Sequence, residues 1–140
     1  MSGRLEYLLD TNVLSETRKK NADAGVISFL EGADSSTLYI SVLTLGELRK
    51  GVAKKQREDP EMARRLAGWA DGLEMSFADR ILGIDAAMAR LWGDWSGERA
   101  RPVVDTLLAA TAVQRGLTLV TRNVRDMRGI PVKLLDPWTE

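Results

Sequence analysis

The 140-residue sequence predicts a three-layer α/β domain, in which a central parallel sheet of four or five strands carries helices on both faces. Three observations lead there. Short apolar runs bounded by turn formers alternate with longer helical stretches. Glycines fall near several of the helix ends. A hydrophobic content of 44% is enough for one core in a chain of this length. Strands separated by helices imply parallel pairing, and right-handed crossovers then place helices on both sides of the sheet.

Four segments read as buried strands: Glu6–Leu9, Thr37–Ser41, Leu117–Thr121 and Val132–Leu135, with Arg80–Ile84 as a fifth. Helical stretches lie between them at Asp23–Glu31, Leu45–Arg57, Glu61–Met75, Ala86–Glu98 and Thr106–Gln114, with Gly32, Gly51 and Gly116 near their ends. Lys54–Asp59 is the most polar run, and with Pro60 it predicts the turn of a helical hairpin. With no repeat, low-complexity segment or linker, residues 1–140 are expected to form one domain.

Composition narrows the chemistry. Twenty Lys and Arg balance twenty Asp and Glu, so a polyanion has to be held by a local basic patch or a metal rather than by net charge. The chain has no Cys and no His. Thiolate nucleophiles, Ser-His-Asp hydrolysis, histidine acid–base catalysis and imidazole-bound zinc are all excluded. Carboxylates, Lys, Tyr, hydroxyls and hard oxygen-bound cations such as Mg²⁺ or Mn²⁺ are left. The opening residues Met1 to Glu6 lack a signal-peptide pattern and no window is apolar enough for a membrane span, so a soluble cytoplasmic protein is expected.

Three acids are placed where such a cation could bind. The run Tyr7-Leu8-Leu9 ends at Asp10, at the carboxyl end of a strand, where open α/β sheets bind ligands. Glu47 follows the second strand, and Asp105 stands where a helix should begin. Each has an ordinary structural reading. Asp10 could open a turn or cap a helix, Thr44 and Glu47 have the spacing of a capping box, and Asp105 could be an N-cap. If the three converge, two carboxylates about 4 Å apart repel by about 4 kcal/mol at an effective dielectric of about 20, so the cluster needs a cation or bound protons.

Four segments in order resemble the motifs of the PIN-domain family, and within it the VapC-type toxins: Leu8–Glu16, Ser41–Gly51, Asp105–Ala112 and Leu119–Asp126. The ending Leu135-Asp136-Pro137-Trp138 is similar to one subgroup. The resemblance implies a PIN-like fold and puts the family's first three acidic positions on Asp10, Glu47 and Asp105. The fourth falls on Asn123 or Asp126; a neutral amide offers only a carbonyl oxygen, so Asp126 is taken as the fourth acid. Also implied are a Mg²⁺ or Mn²⁺ cofactor, cleavage of RNA phosphodiesters, a homodimer, a cognate VapB-type antitoxin, and operator DNA bound only through that antitoxin.

Thr11 and Thr121 are candidate hydrogen-bond partners for water or phosphate, and equally ordinary helix-start or strand residues. Arg18, Lys19, Lys20, Arg49 and Lys50, with Lys54 and Lys55, form a basic stretch that could steer an RNA backbone or simply be a solvated face. Trp69, Trp92 and Trp95 suit a core or dimer role, and Trp138 a packing anchor. Two other functions fit the sequence less well. A catalytically silent PIN-like binding module would not need all three acids, and an aspartate-nucleophile phosphohydrolase would want an acid where Asn12 stands.

Overall fold

Strand β1 (Tyr7–Leu9) lies at the centre of a five-stranded sheet with β2 (Leu38–Ser41), β3 (Ile81–Leu82), β4 (Thr118–Val120) and β5 (Leu134–Leu135), in the order β3-β2-β1-β4-β5. Every pairing is parallel. The computed structural model describes residues 4–139; Met1, Ser2 and Gly3, on which the reading of the amino terminus partly rests, and Glu140 lie outside them. Six α-helices connect the strands: α1 (Thr11–Glu16), α2 (Ala24–Gly32), α3 (Val42–Glu58), α4 (Pro60–Ser76), α5 (Ala86–Glu98) and α6 (Val103–Arg115). The chain runs outward from β1 to β3 and then returns to lay β4 against the other side of β1. That reversal opens a crevice at the carboxyl ends of β1 and β4, the usual ligand position in such sheets.

Side-chain alternation along each central strand builds the three layers. Leu8 and Leu119 point into a cluster with Met88, Trp95, Leu108 and Ala112 from α5 and α6. Their neighbours Leu9 and Val120 point the other way, into a cluster with Val13, Leu14, Val26 and Ile40, against which Trp69, Leu73 and Trp138 pack. Trp95 and Trp138 thus serve as packing residues, while Trp92 is half-buried and its indole N–H has no partner among the described residues.

Several local expectations are corrected. Helix α1 follows Asp10 directly, with Asp10 as its N-cap accepting from the Thr11 N–H. It is too short to show a helical period in the sequence. Helix α3 starts at Val42, capped by Ser41, whose Oγ accepts from the Leu43 N–H at 2.9 Å. Thr44 and Glu47 therefore lie inside α3 and form no capping box, and Gly51 is also interior to it. The polar run Lys54–Glu58 is helical to its end. Asp59 alone makes the turn, closing α3 with its N–H and capping α4 with its carboxylate, ahead of Pro60 in the first turn. Asp105 is not an N-cap, since α6 begins at Val103 after Pro102 and Asp105 lies in its first turn. Gly116 is the expected C-cap, at φ +69°.

Candidate active site

The turn from β1 into α1 puts Asp10 at the crevice with only 3% of its surface exposed. Both carboxylate oxygens are held. The Thr11 N–H donates to Oδ1 at 2.7 Å, and the Thr121 hydroxyl, from the end of β4, donates to Oδ2 at 2.8 Å. Thr121 Oγ1 in turn accepts from the Asn123 N–H at 2.9 Å. Because β1 and β4 are adjacent, this one chain of hydrogen bonds joins two motifs that lie 111 residues apart in sequence. Burial raises the Asp10 pKa and so does Glu47, against the opposing effect of the Thr121 and Thr11 hydrogen bonds.

Asp10, Glu47 and Asp105 line one cleft of about 510 Å³ together with Thr11, Asn12, Ser15, Lys50, Gly51, Lys54 and Asn123. Glu47 reaches it from the second turn of α3, and its Oε1 accepts from the Thr11 hydroxyl at 2.6 Å. Asp105 projects from the first turn of α6. Its pKa is pushed up to about 6, first by burial and then by the charges of Asp10, Asp126 and Glu47, while a hydrogen bond from the Asn123 side chain pulls the other way. Among the described residues no three acids are closed into a tight ligand cluster.

A hard divalent cation fits this donor set. Its lining donors are carboxylate, hydroxyl and amide oxygens, and burial, with the neighbouring acidic charges adding to it, holds Asp105 well above the usual carboxylate range. Asn12 adds a buried Oδ1 with no hydrogen-bond partner among the described residues. Asp10, Glu47 and Asp105 are the acids that line the cleft.

The two candidates for the fourth position occupy different places. Asn123 lines the cleft and its side chain draws the Asp105 pKa down, whereas Asp126 is exposed on a 3-10 turn, Val124–Met127, and acts on Asp105 through its charge. Their effects on Asp105 have opposite signs, which gives a direct test. Asp126→Asn should lower the Asp105 pKa, and Asn123→Ala should raise it, as followed by carboxyl-carbon NMR titration. Shifts in the same direction would show that one of these two couplings is absent.

Of the basic residues singled out in the sequence, only Lys50 and Lys54 line the cleft. Arg49 turns to α4 and pairs with Asp71 and, at 3.9 Å, with Glu74. Arg18 lies over the Trp69 ring at 5.2 Å, and Lys19 pairs with Glu16 at 3.0 Å. Lys20 and Lys55 are exposed, with Lys55 3.5 Å from Glu58. Glu16, part of the opening motif, is buried and accepts from the Asp23 N–H at 2.9 Å, so it braces the connection from α1 to α2. Sequence reading missed Asn12, Ser15 and Gly51 as cleft residues. The helical spacing of Gly51 and Lys54 from Glu47, within the helix expected over Leu45–Arg57, was the signal that could have revealed the α3 wall.

Comparison with known proteins identifies the family. The tRNA(fMet)-specific endonuclease VapC of Shigella flexneri is 31% identical over 140 residues, covering 96% of this chain and 99% of that protein. The crystal structure of FitAcB from Neisseria gonorrhoeae superposes with a TM-score of 0.79 at 29% identity, covering 96% of this chain and 99% of that one. A toxin–antitoxin complex from Klebsiella pneumoniae superposes with a TM-score of 0.65 at 26% identity, covering 95% and 98%. The family model described as PIN domain matches residues 7–131, from the first residue of β1 to just short of β5 and through every cleft residue, and with these relatives it establishes that the chain belongs to the PIN-domain family, in its VapC-like branch.

Proposed function

We propose that this protein is a divalent-metal-dependent endoribonuclease and the toxin of a toxin–antitoxin pair, with Mg²⁺ or Mn²⁺ held by Asp10, Glu47 and Asp105. The observation that carries this reading is the gathering of those three acids in one cleft of a chain without His or Cys. The name of the Shigella relative, a tRNA endonuclease, supports RNA as the substrate class, and the Klebsiella complex supports an antitoxin partner. A homodimer, and operator DNA reached only through the antitoxin, are carried over from the family resemblance. Among the described residues no helix is long and apolar enough to cross a membrane.

The chain's own residues divide the work. Asp10 is oriented before any ligand arrives, because Thr11 and Thr121 fix its two oxygens. Asp105 must lose its proton to act as a ligand, and its raised pKa makes that step sensitive to mildly acidic pH. Lys50 and Lys54, on the α3 wall, are placed to attract the phosphate backbone. Asn12 and Asn123 offer amide groups to the scissile region. When bound, the cation lowers the pKa of a water and neutralises charge developing on the phosphate. A silent binding module would have no use for a desolvated, mutually repelling set of acids, so the nuclease reading is preferred.

The test is to express the wild-type protein alone in a bacterial host and map RNA 5′ ends, with the purified protein assayed on RNA with Mn²⁺ and with EDTA. Growth arrest with discrete new ends, and cleavage that EDTA abolishes, are expected. Harmless accumulation of soluble protein without metal-dependent cleavage would overturn the proposal.

A further inference from the structure

Three buried threonines sit in the helices around the cleft, and one of them is bonded differently from the others. Thr106 and Thr111 give their hydroxyl protons to carbonyls one turn back, Thr106 to Pro102 at 2.6 Å and Thr111 to Leu107 at 2.8 Å. Thr44, in the first turn of α3, is completely buried and makes no such bond among the described residues. Ser41 caps that helix, so capping does not occupy Thr44. Its hydroxyl oxygen instead lies 3.2 Å from that of Thr11, which is 2.6 Å from Glu47 Oε1.

The protons in this chain have one consistent arrangement. Each threonine hydroxyl has one proton to give and lone pairs to accept with. Serving as a cation ligand, Glu47 is a carboxylate that can only accept, so the Thr11 proton, 2.6 Å from Oε1, points to Glu47. Thr44 is shut off from water and has Thr11 Oγ1 as its acceptor, so its proton points to Thr11. The reverse arrangement would turn a Thr11 lone pair toward the carboxylate and leave Thr44 with a buried proton that no group accepts, a costly state.

From this geometry we infer that Thr44 is a positioning residue for Glu47: it sets the direction of the hydroxyl chain Thr44 to Thr11 to Glu47, holding Oε1 and leaving Oε2 for a cation. Thr44 touches neither substrate nor metal and acts through Thr11. The inference rests on the proposed metal role of Glu47. It also explains why a polar residue occupies a fully buried position one helical turn before that acid.

The experiment is a double-mutant cycle read by calorimetric titration with Mn²⁺. Thr44→Val keeps the side-chain shape and removes the hydroxyl. It should weaken Mn²⁺ binding by about tenfold, the scale usual for groups that orient a metal ligand. Thr44→Ser should restore binding to within about twofold of wild type on the same scale. In a Thr11→Val background, Thr44→Val should have little further effect, because the chain is already broken at Thr11. A Thr44→Val protein that melts lower yet binds Mn²⁺ as wild type does would make Thr44 a packing residue and overturn the inference, as would additive losses in the double variant. Wild-type protein that binds no Mn²⁺ would overturn the metal-site reading as well, which separates the two failures.

Discussion

Asp10→Asn is expected to abolish RNA cleavage while leaving the metal-free protein at least as stable as wild type. Groups that merely orient metal ligands are worth about 10- to 100-fold in affinity or activity, so loss of a charged ligand should exceed that. The fold should survive because the amide can keep most of the existing bonds. Its carbonyl oxygen can still accept from the Thr11 N–H, and its NH₂ can donate to Thr121 Oγ1, at the cost of the bond that the Thr121 hydroxyl now gives to Asp10. Burial and Glu47 both act against the charge on Asp10, so neutralising it removes an unfavourable term. Mn²⁺-dependent cleavage and thermal melting in EDTA, measured on the same preparation, check both halves. Retained activity in a folded variant would remove Asp10 from the mechanism.

A second large effect is expected from pH, with opposite signs for the metal-free and the metal-bound protein. Asp105 has a pKa of about 6 in the folded chain against 3.8 for an unperturbed Asp. A carboxyl raised by folding contributes stability that is fully present below its unfolded pKa and is lost as pH rises through the folded value. Asp105 should therefore contribute a loss of stability to the metal-free protein from about pH 4 to about pH 6, and Asp105→Asn should remove that contribution. Asp10, raised in the same direction, adds to the trend. Metal binding runs the other way, because Asp105 must be ionised to act as a ligand. Mn²⁺ affinity should fall by about tenfold between about pH 7 and about pH 5 from this residue alone. Melting curves with and without Mn²⁺ across that range would test the crossing. A pH dependence of the metal-free protein between about pH 4 and about pH 6 that Asp105→Asn leaves unchanged would contradict the site electrostatics.

Both expectations depend on residues that are visible in the sequence and on neighbours that are not. Asp10, Glu47 and Asp105 stand out because each follows or begins an element whose apolar pattern is clear, and carboxyl ends of parallel strands share one edge. Asp105 as an N-cap and Thr44-Glu47 as a capping box were local readings, and both failed because helix starts are weakly encoded. Pro102 and Ser41 begin α6 and α3 three residues earlier than those readings require. Arg49 belongs by sequence to a basic run beside the cleft, yet Asp71 on α4 draws it away. Only the packing of α3 against α4 brings those two charges together.

The sequence by itself determined the class of chemistry and the class of fold. A chain without His or Cys is confined to oxygen ligands and hydroxyl or carboxylate groups, and apolar runs alternating with helical stretches lead to parallel strands with helices on both faces. The tertiary structure decided which groups meet. Strand order placed β4 beside β1, so that Thr121 could hold Asp10, and packing of α1 against α3 carried Thr11 to Thr44 and Glu47. Periodicity along a chain records which face of an element is buried. The partner on the other side is selected by sheet order and by competition among nearby charges and hydrogen-bonding groups, neither of which has a local signature.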